Sequence, residues 1–302
     1  MNETKEKIIV YLGGGAMSGC YGAGVLKGLH DHKYIDSIEA IYANSVGSLN
    51  AAYLLSNQAE LGSTIYFEDL REGFIFPWNL FTGIIDLIRN RFLGKIKKEN
   101  AHNVVDINYV YNILDKRKTL DINTIKNNPI NLFVKVLNIE TGEIEYKSFK
   151  DYPTLDLLKA AITIKPYFFE ETLLNGKYYI DASIKEPIGI EYLLNKYPNR
   201  KIIVALNEPI IRGLRHYFKN FVEGIVSSLY PYKVSLFDFY QDRENLIRKD
   251  IKTCLDNEKI LLLDPNFSGR TRPRTTKLSV VKETFDKGYK DCEKIMDFIN
   301  ES

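Results

Sequence analysis

A glycine-rich loop and a serine one β-α unit further along are the residues of this sequence best suited to catalysis. The loop runs over Gly13-Gly14-Gly15-Ala16-Met17-Ser18-Gly19, and Ser45 stands in Ala43-Asn44-Ser45-Val46-Gly47. A serine hydroxyl is a weak nucleophile that needs a base to accept its proton and preorganised donors for the oxyanion that forms. Backbone N–H groups of a glycine loop can supply such donors. These residues therefore predict acyl transfer through Ser45, although a serine in this position could instead cap the helix that follows.

The segments around these residues predict an α/β fold with a mostly parallel central sheet flanked by helices. The apolar run Ile8 to Leu12 precedes the glycine loop, and residues 20–31 have helical spacing. A second apolar run, Ile38 to Tyr42, leads into Ser45, and a helix over 48–56 leaves it. Near-continuous apolar strands that alternate with helices are typical of parallel sheets built from right-handed β-α-β units.

The rest of the chain continues the alternation. We expect strands over 131–137, 143–149, 177–180, 201–206 and 260–263, and helices over 155–164 and 278–299. The sequence contains no internal repeat and no low-complexity linker. It therefore favours a single domain over residues 1–302, with its motifs concentrated in about residues 8–190.

Composition excludes several classes of function. The 302 residues carry 41 basic and 39 acidic side chains, so no global charge favours nucleic acid. The three cysteines are widely spaced, which suits free thiols in a reducing compartment, and His30 and His32 lack neighbouring ligand residues that would indicate a metal site. No signal peptide is visible, and no apolar run approaches the ~20 residues of a membrane span. We expect a cytoplasmic protein with no metal and no organic cofactor.

Two amphipathic segments raise the question of membrane contact. Residues 74–98 combine aromatic and aliphatic residues at helical spacing with a basic end, which predicts either a mobile lid that rests on a membrane surface or an ordinary core-packed helix. Residues 217–229 carry a continuous apolar stripe, which we expect to face the core. The basic loop Arg270, Arg272, Arg274 and Lys277 is either a solvated surface or a contact for lipid phosphate or an acidic partner.

Four blocks of this sequence together resemble the patatin-like phospholipases. The first is Gly13-Gly14-Gly15 with Gly19 and Gly24-Val25-Leu26, which is similar to the oxyanion loop and following helix of that family. The second is Ser45 with Gly47, similar to its nucleophile turn. The third is the segment from Ala160 to Phe169, and the fourth is Asp181 at the end of an apolar strand.

This resemblance implies a patatin-like fold and a Ser–Asp dyad that cleaves acyl esters of lipids or phospholipids. Ser45 would be the nucleophile and Asp181 the base. The N–H groups of Gly13, Gly14, Gly15 and Gly19 would line the oxyanion hole. A carboxylate that acts as base on a hydroxyl is helped by a dry, apolar setting that raises its pKa.

Three departures from the family pattern leave alternatives open. Ala43 stands where the turn usually has its first glycine, Ser18 stands near the usual Arg or Lys of the loop, and Ala182-Ser183 replaces the glycines after the aspartate. A catalytically weakened lipid-binding protein of the same fold is one alternative. A Ser-His-Asp esterase that uses His216 is another, and a nucleotide-binding protein is a third, since the glycine loop departs by one residue from a dinucleotide fingerprint.

Overall fold

The structure, a computed structural model, describes residues 7–93, 102–265 and 272–300. Its strands are β1 (Ile8–Leu12), β2 (Ile38–Asn44), β3 (Asn131–Asn138), β4 (Ile144–Ser148), β5 (Thr172–Leu174), β6 (Lys177–Asp181), β7 (Lys201–Ala205) and β8 (Ile260–Leu263). Its helices are α1 (Cys20–Asp31), α2 (Val46–Leu55), α3 (Ala59–Glu68), α4 (Asn79–Leu93), α5 (Ile107–Asn112), α6 (Ile122–Asn127), α7 (Leu155–Ile162), α8 (Ile190–Lys196), α9 (Leu214–Ser227), α10 (Leu236–Leu255) and α11 (Leu278–Asn300).

These strands form one mixed sheet whose centre is parallel, as the sequence predicts. The order is β5-β6-β3-β2-β1-β7-β8, with β4 paired to β3. Strand β1 lies between β2 and β7 in parallel register, and β2–β3 and β7–β8 are parallel as well. Strands β4, β5 and β6 run antiparallel to their neighbours. The carboxyl ends of β1 and β2 therefore point the same way, which brings the glycine loop and Ser45 to one edge of the sheet.

Helices cover both faces of the sheet. Successive side chains of a strand point to opposite faces, and Ile8, Val10 and Leu12 of β1 belong to a core shared with α1, α2, α7 and α11. Ile9 and Tyr11 belong to a second core shared with α8 and α10. All of β1 is buried, which explains its uninterrupted apolar sequence.

The first and last helices pack backbone to backbone. A Cβ added to Gly24 of α1 would lie 2.1 Å from the carbonyl oxygen of Phe285, and one added to Gly288 of α11 would lie 2.0 Å from that of Tyr21. Only glycine permits this separation. The C-terminal helix is therefore an integral support for the helix that follows the glycine loop.

Two segments differ from the sequence predictions. The apolar stripe over 217–229 lies in α9, and its expected place in the core is wrong, because Phe218, Phe221, Val222 and Ile225 are exposed. The 20-residue helix α10 was not predicted, since buried Glu244 interrupts its apolar face. Residues 94–98 of the amphipathic segment and Arg270 of the basic loop lie outside the described residues.

Candidate functional site

Ser45 occupies a sharp turn between β2 and α2. Its backbone lies at φ 52° and ψ −133°, a conformation that side-chain-bearing residues rarely adopt and that costs of order 1–3 kcal/mol. Its side chain makes no hydrogen bond that caps α2, so the capping role weighed from sequence is not the one observed. A Cβ on Gly47 would lie 2.6 Å from the carbonyl oxygen of Leu12, so only glycine lets α2 cross the end of β1 so closely.

The glycine loop lies directly against this serine. A Cβ added to Gly14 would lie 2.8 Å from Cβ and 3.4 Å from Oγ of Ser45. Gly15 has φ 142°, which a side chain would strain. Among the described residues, none accepts a hydrogen bond from the N–H of Gly14 or Gly15. Neither N–H group is therefore used by the hydrogen bonding of the loop, and Gly14 is the residue that contacts Ser45.

The other two glycines of the predicted oxyanion hole lie differently. The N–H of Gly13 donates to the carbonyl oxygen of Ala205 at 2.9 Å, which extends the β1–β7 pairing. Gly19 packs against Tyr66 and Val46, and it is not among the described residues that line the cavity around Ser45. Both residues shape the loop, whereas the free donors belong to Gly14 and Gly15.

Asn207, just beyond β7, holds the loop in place. Its Nδ2 donates to the carbonyl oxygen of Gly13 at 2.6 Å, and its Oδ1 accepts from the N–H of Gly22 at 2.8 Å. The N–H of Met17 donates to the carbonyl oxygen of Pro273 at 3.1 Å, which ties the loop to the segment before α11. The loop is thus fixed by residues far from it in sequence.

Asp181 ends β6 with its carboxyl group fully buried. Its Oδ1 accepts a hydrogen bond from the N–H of Ser183 at 2.8 Å, the capping bond expected of a carboxylate at a strand end. Its Oδ2 is buried without a hydrogen-bond partner among the described residues. Burial raises the pKa of Asp181, while the hydroxyl of Ser45 interacts with the same carboxyl and opposes the rise. The two side chains are therefore neighbours, and one carboxyl oxygen remains available to accept a proton.

His216 lies in the first turn of α9 and lines the same cavity. Its Nδ1 lies 3.1 Å from both the N–H and the carbonyl oxygen of Gly213. Within the described chain no hydrogen bond joins it to Ser45 or Asp181. Partial burial, together with the charge of Arg212, lowers the pKa of its imidazole. The geometry gives this histidine no partner of the kind that a triad requires.

The three departures from the family pattern all lie in buried positions of the structure. Ala43 is completely buried in β2, where it pairs with Leu12 and Val134. Ser183 supplies the N–H that holds Asp181. Ser18 is buried, and its hydroxyl has no hydrogen-bond partner among the described residues. The loop therefore brings no cation of its own to the site.

A cavity of about 630 Å³ opens above Ser45 and has two chemically distinct parts. One part is apolar, with side chains from α2, α3 and α5, from the segments on either side of α4 and from the turn after α5, among them Leu49, Ile65, Leu70, Phe74, Val105, Ile107, Val110 and Leu114. The other part is basic, with Arg212, Arg215, Lys219, Arg243, Arg272 and Arg274. Such a division suits a ligand with a long apolar portion and an anionic group.

Several of these cations lack a carboxylate partner. Arg212 is neutralised by Glu208 and Glu244, and Lys219 lies 3.5 Å from Glu223. Arg243, by contrast, donates from Nε to the carbonyl oxygen of Ser183 at 2.8 Å and forms no ion pair within 4 Å among the described residues. The same holds for three further arginines of the lining, Arg215, Arg272 and Arg274. Positive charge therefore remains available beside the serine and the buried carboxyl.

Two kinds of site are absent from the described residues. No group of three or more His, Cys, Asp or Glu side chains there could hold a metal ion. None of the helices within 7–93, 102–265 and 272–300 has the length and apolarity to cross a bilayer. Cys20, Cys254 and Cys292 are buried free thiols, which confirms the expectation from their spacing.

A family model described as patatin-like phospholipase matches residues 10–194, more than half of the chain. The chain belongs to the patatin-like phospholipase family. This match spans the glycine loop, Ser45 and Asp181, and proteins of the family act on lipid substrates. It confirms the resemblance drawn from the sequence motifs.

Two solved structures are similar to this patatin-like chain. One is VipD from Legionella pneumophila, at 13% identity and a TM-score of 0.47, where the match covers 97% of this chain and 67% of the other. The other is the type III effector protein ExoU, at 11% identity and a TM-score of 0.40, with coverage of 98% and 54%. No curated protein matches the sequence.

Proposed function

We propose that this patatin-like protein is a serine acyl hydrolase that cleaves acyl esters of phospholipids through a Ser45–Asp181 dyad. One observation carries the proposal: the strained Ser45 turn contacts Gly14 of the glycine loop, and its hydroxyl acts on the buried carboxyl of Asp181, one oxygen of which has no hydrogen-bond partner among the described residues. The catalytically weakened lipid-binding protein remains the second candidate, because Ser18 leaves the loop without a cation.

In the proposed reaction, Oγ of Ser45 attacks the ester carbonyl carbon while Oδ2 of Asp181 accepts the hydroxyl proton. The N–H groups of Gly14 and Gly15 stabilise the oxyanion, and each such donor is typically worth ~2.7–4 kcal/mol. Collapse breaks the ester C–O bond, and Asp181 returns the proton to the leaving alkoxide. Water then attacks the acyl-enzyme, Asp181 accepts its proton, and the fatty acid leaves as Ser45 regains its proton.

The raised pKa of Asp181 suits this role. A carboxylate with an ordinary pKa is a weak base toward a hydroxyl, whereas burial strengthens it. The interaction with the hydroxyl of Ser45 favours the charged form and so limits the rise of the pKa. The dry setting thus supports direct proton transfer without histidine.

The two-part cavity supports phospholipids as the substrate class. Its apolar wall can hold an acyl chain, and Arg243 lies next to Ser183, close to the proposed dyad, where it can meet a phosphate. A neutral glyceride has no phosphate that these guanidinium groups could bind. We therefore expect a phosphate-bearing lipid to be cleaved faster than a neutral ester of the same chain length.

We further propose that residues 74–98 contact the membrane surface and gate the cavity. Phe74 and Ile75 line the cavity, while Trp78, Phe81 and Phe92 are exposed by 89%, 74% and 75%. Removal of this segment is expected to reduce turnover of vesicle lipids more than that of a monomeric ester. The buried free thiols support a reducing compartment such as the cytoplasm.

The test is hydrolysis of a short-chain chromogenic ester with and without a calcium chelator. Ser45→Ala and Asp181→Asn are expected to lower kcat/KM by about 10³-fold or more. The matched control Ser56→Ala removes another buried hydroxyl at the far end of α2 and is expected to keep full turnover.

Three outcomes would contradict the proposal. Loss of turnover in His216→Ala would favour a Ser-His-Asp esterase. Thermal stabilisation by NAD(P) without turnover would favour nucleotide binding. An inactive wild type that still binds lipid would favour the weakened lipid-binding protein.

A further inference from the structure

Helix α9 is amphipathic in the reverse sense of an ordinary surface helix. Five apolar side chains are exposed along it, beside the exposed Arg215 and Lys219: Leu214, Phe218, Phe221, Val222 and Ile225 have exposed fractions of 86%, 70%, 44%, 43% and 47%. Its buried positions are polar or small: Asn220, Glu223, Gly224 and Ser227. A surface helix normally turns its apolar face to the core and its polar face to water. We call the exposed set the outer face of α9.

The buried polar contacts fix this orientation. Glu223 accepts a hydrogen bond from the hydroxyl of Tyr167, and Asn220 Oδ1 accepts one from Arg243 at 3.3 Å. A Cβ on Gly224 would lie 3.1 Å from the ring of Phe237, so α10 packs closely on this side. Rotation of α9 to bury its outer face would break these contacts and separate Glu223 and Asn220 from their hydrogen-bond partners. The apolar exposure is therefore built into the fold.

The outer face begins at the mouth of the cavity. Ile211, which is 78% exposed, and Arg215 and Lys219 of α9 all line the cavity. The apolar residues of the outer face thus share one helix with cations that face the cavity. Apolar side chains flanked by Lys and Arg are typical of helices that lie in the interface of anionic membranes.

A second exposed apolar surface lies beside the first. Leu87 of α4 packs with Tyr230, and Val226 and Leu229 pack against the same small cluster. The C-terminal end of α9 therefore adjoins α4, whose Phe81 and Phe92 are also exposed. Together these helices present more apolar surface than scattered single residues would.

We propose that the outer face of α9 docks onto an anionic lipid bilayer and so brings the cavity mouth to the membrane surface. Docking is a binding event that does not require turnover. The inference rests on the proposed function only in that a lipid substrate enters the cavity. Apolar side chains of α9 enter the headgroup region, while Arg215 and Lys219 meet anionic headgroups. A second copy of the chain or a protein partner on this face would be a different occupant, and the experiment separates them.

The experiment measures flotation of the Ser45→Ala protein with vesicles of phosphatidylcholine, alone or with about 30% phosphatidylserine. We expect binding to the anionic vesicles that weakens at high salt. Leu214→Ser combined with Phe218→Ser is expected to weaken that binding by about tenfold or more. Neither residue lines the cavity. The matched control combines Leu173→Ser with Leu255→Ser, which removes two exposed leucines of β5 and α10 and is expected to leave binding unchanged.

Two results would overturn the inference. The first is absence of vesicle binding, and the second is an equal loss in the test and control variants. In the first case, a dimer seen by sedimentation velocity that the α9 substitutions dissolve would identify a second copy of the chain as the occupant. Circular dichroism of both double variants checks that they fold. Failure of the proposed function looks different: a protein with Ser45 intact would bind vesicles yet cleave no ester.

Discussion

Gly14→Ala is the sharpest test of how the glycine loop meets the serine. The new methyl group would lie 2.8 Å from Cβ and 3.4 Å from Oγ of Ser45. Carbon atoms in contact prefer about 3.5–4.0 Å, so the loop or the serine must move by roughly 1 Å. A misplacement of about 1 Å near reacting atoms can lower a rate by about 10²-fold. We expect a loss of that size in kcat on a short-chain ester, with a stability loss of about 1–3 kcal/mol from overpacking.

The control is Gly28→Ala, which creates a comparable clash away from the site. Its Cβ would lie 2.4 Å from Sγ of Cys292, between α1 and α11. It should lower Tm without a matching loss of kcat at a temperature well below Tm. Unchanged kcat in Gly14→Ala, measured at the same temperature, would refute the apposition of the loop and Ser45. Parallel losses of kcat in both variants would show that the effect is global.

Three further predictions concern charge and packing. Burial raises the pKa of Asp181, so the folded state favours the protonated carboxyl. This contribution to the free energy of unfolding is complete below the ordinary pKa of the group and is lost as pH rises through the folded value. Asp181→Asn should therefore raise Tm near pH ~7 and not below pH ~3.5, which a pair of thermal melts would check. Arg243→Gln should lower turnover of phospholipid by about tenfold or more and shift the acidic limb of the pH profile upward, because the charge of Arg243 lowers the pKa of Asp181. The control substitution Arg200→Gln, at an exposed position, should change neither the turnover of phospholipid nor the pH profile. Gly288→Ala, whose Cβ would meet the carbonyl of Tyr21 at 2.0 Å, should cost about 1–3 kcal/mol or more in denaturant unfolding; an unchanged midpoint would contradict the close contact of α1 and α11.

Local sequence patterns predict the glycine loop and the Ser45 turn, whereas Asp181, far from them in sequence, is indicated by the family resemblance. The β1–loop–α1 and β2–Ser45–α2 units follow from apolar strands, glycines and the serine between them, all within residues 8–55. Parallel β-α-β units bring the ends of neighbouring strands to one edge, so Ser45 and the loop meet without knowledge of the rest. The central parallel sheet followed from the same pattern.

The part that could not be predicted depends on side chains distant in sequence. Asn207 and Arg243 reach the site from beyond β7 and from α10. Neither position carries a motif, and the buried Glu244 hides the periodicity of α10. Apolar periodicity shows that one face of α9 is apolar, but it does not show whether that face is buried. The contacts of Glu223 and Asn220 decide which face is buried.

The backbone contact between α1 and α11 has a consequence for the order in which this protein matures. The glycine loop is braced by α1, and its Met17 is bonded to Pro273 just before α11. Chains emerge from the ribosome amino end first, and contacts of high sequence separation form late. The glycine loop is therefore expected to reach its final geometry only after α11 has been synthesised. A partly synthesised chain that lacks α11 would hold Ser45 without the ordered loop beside it.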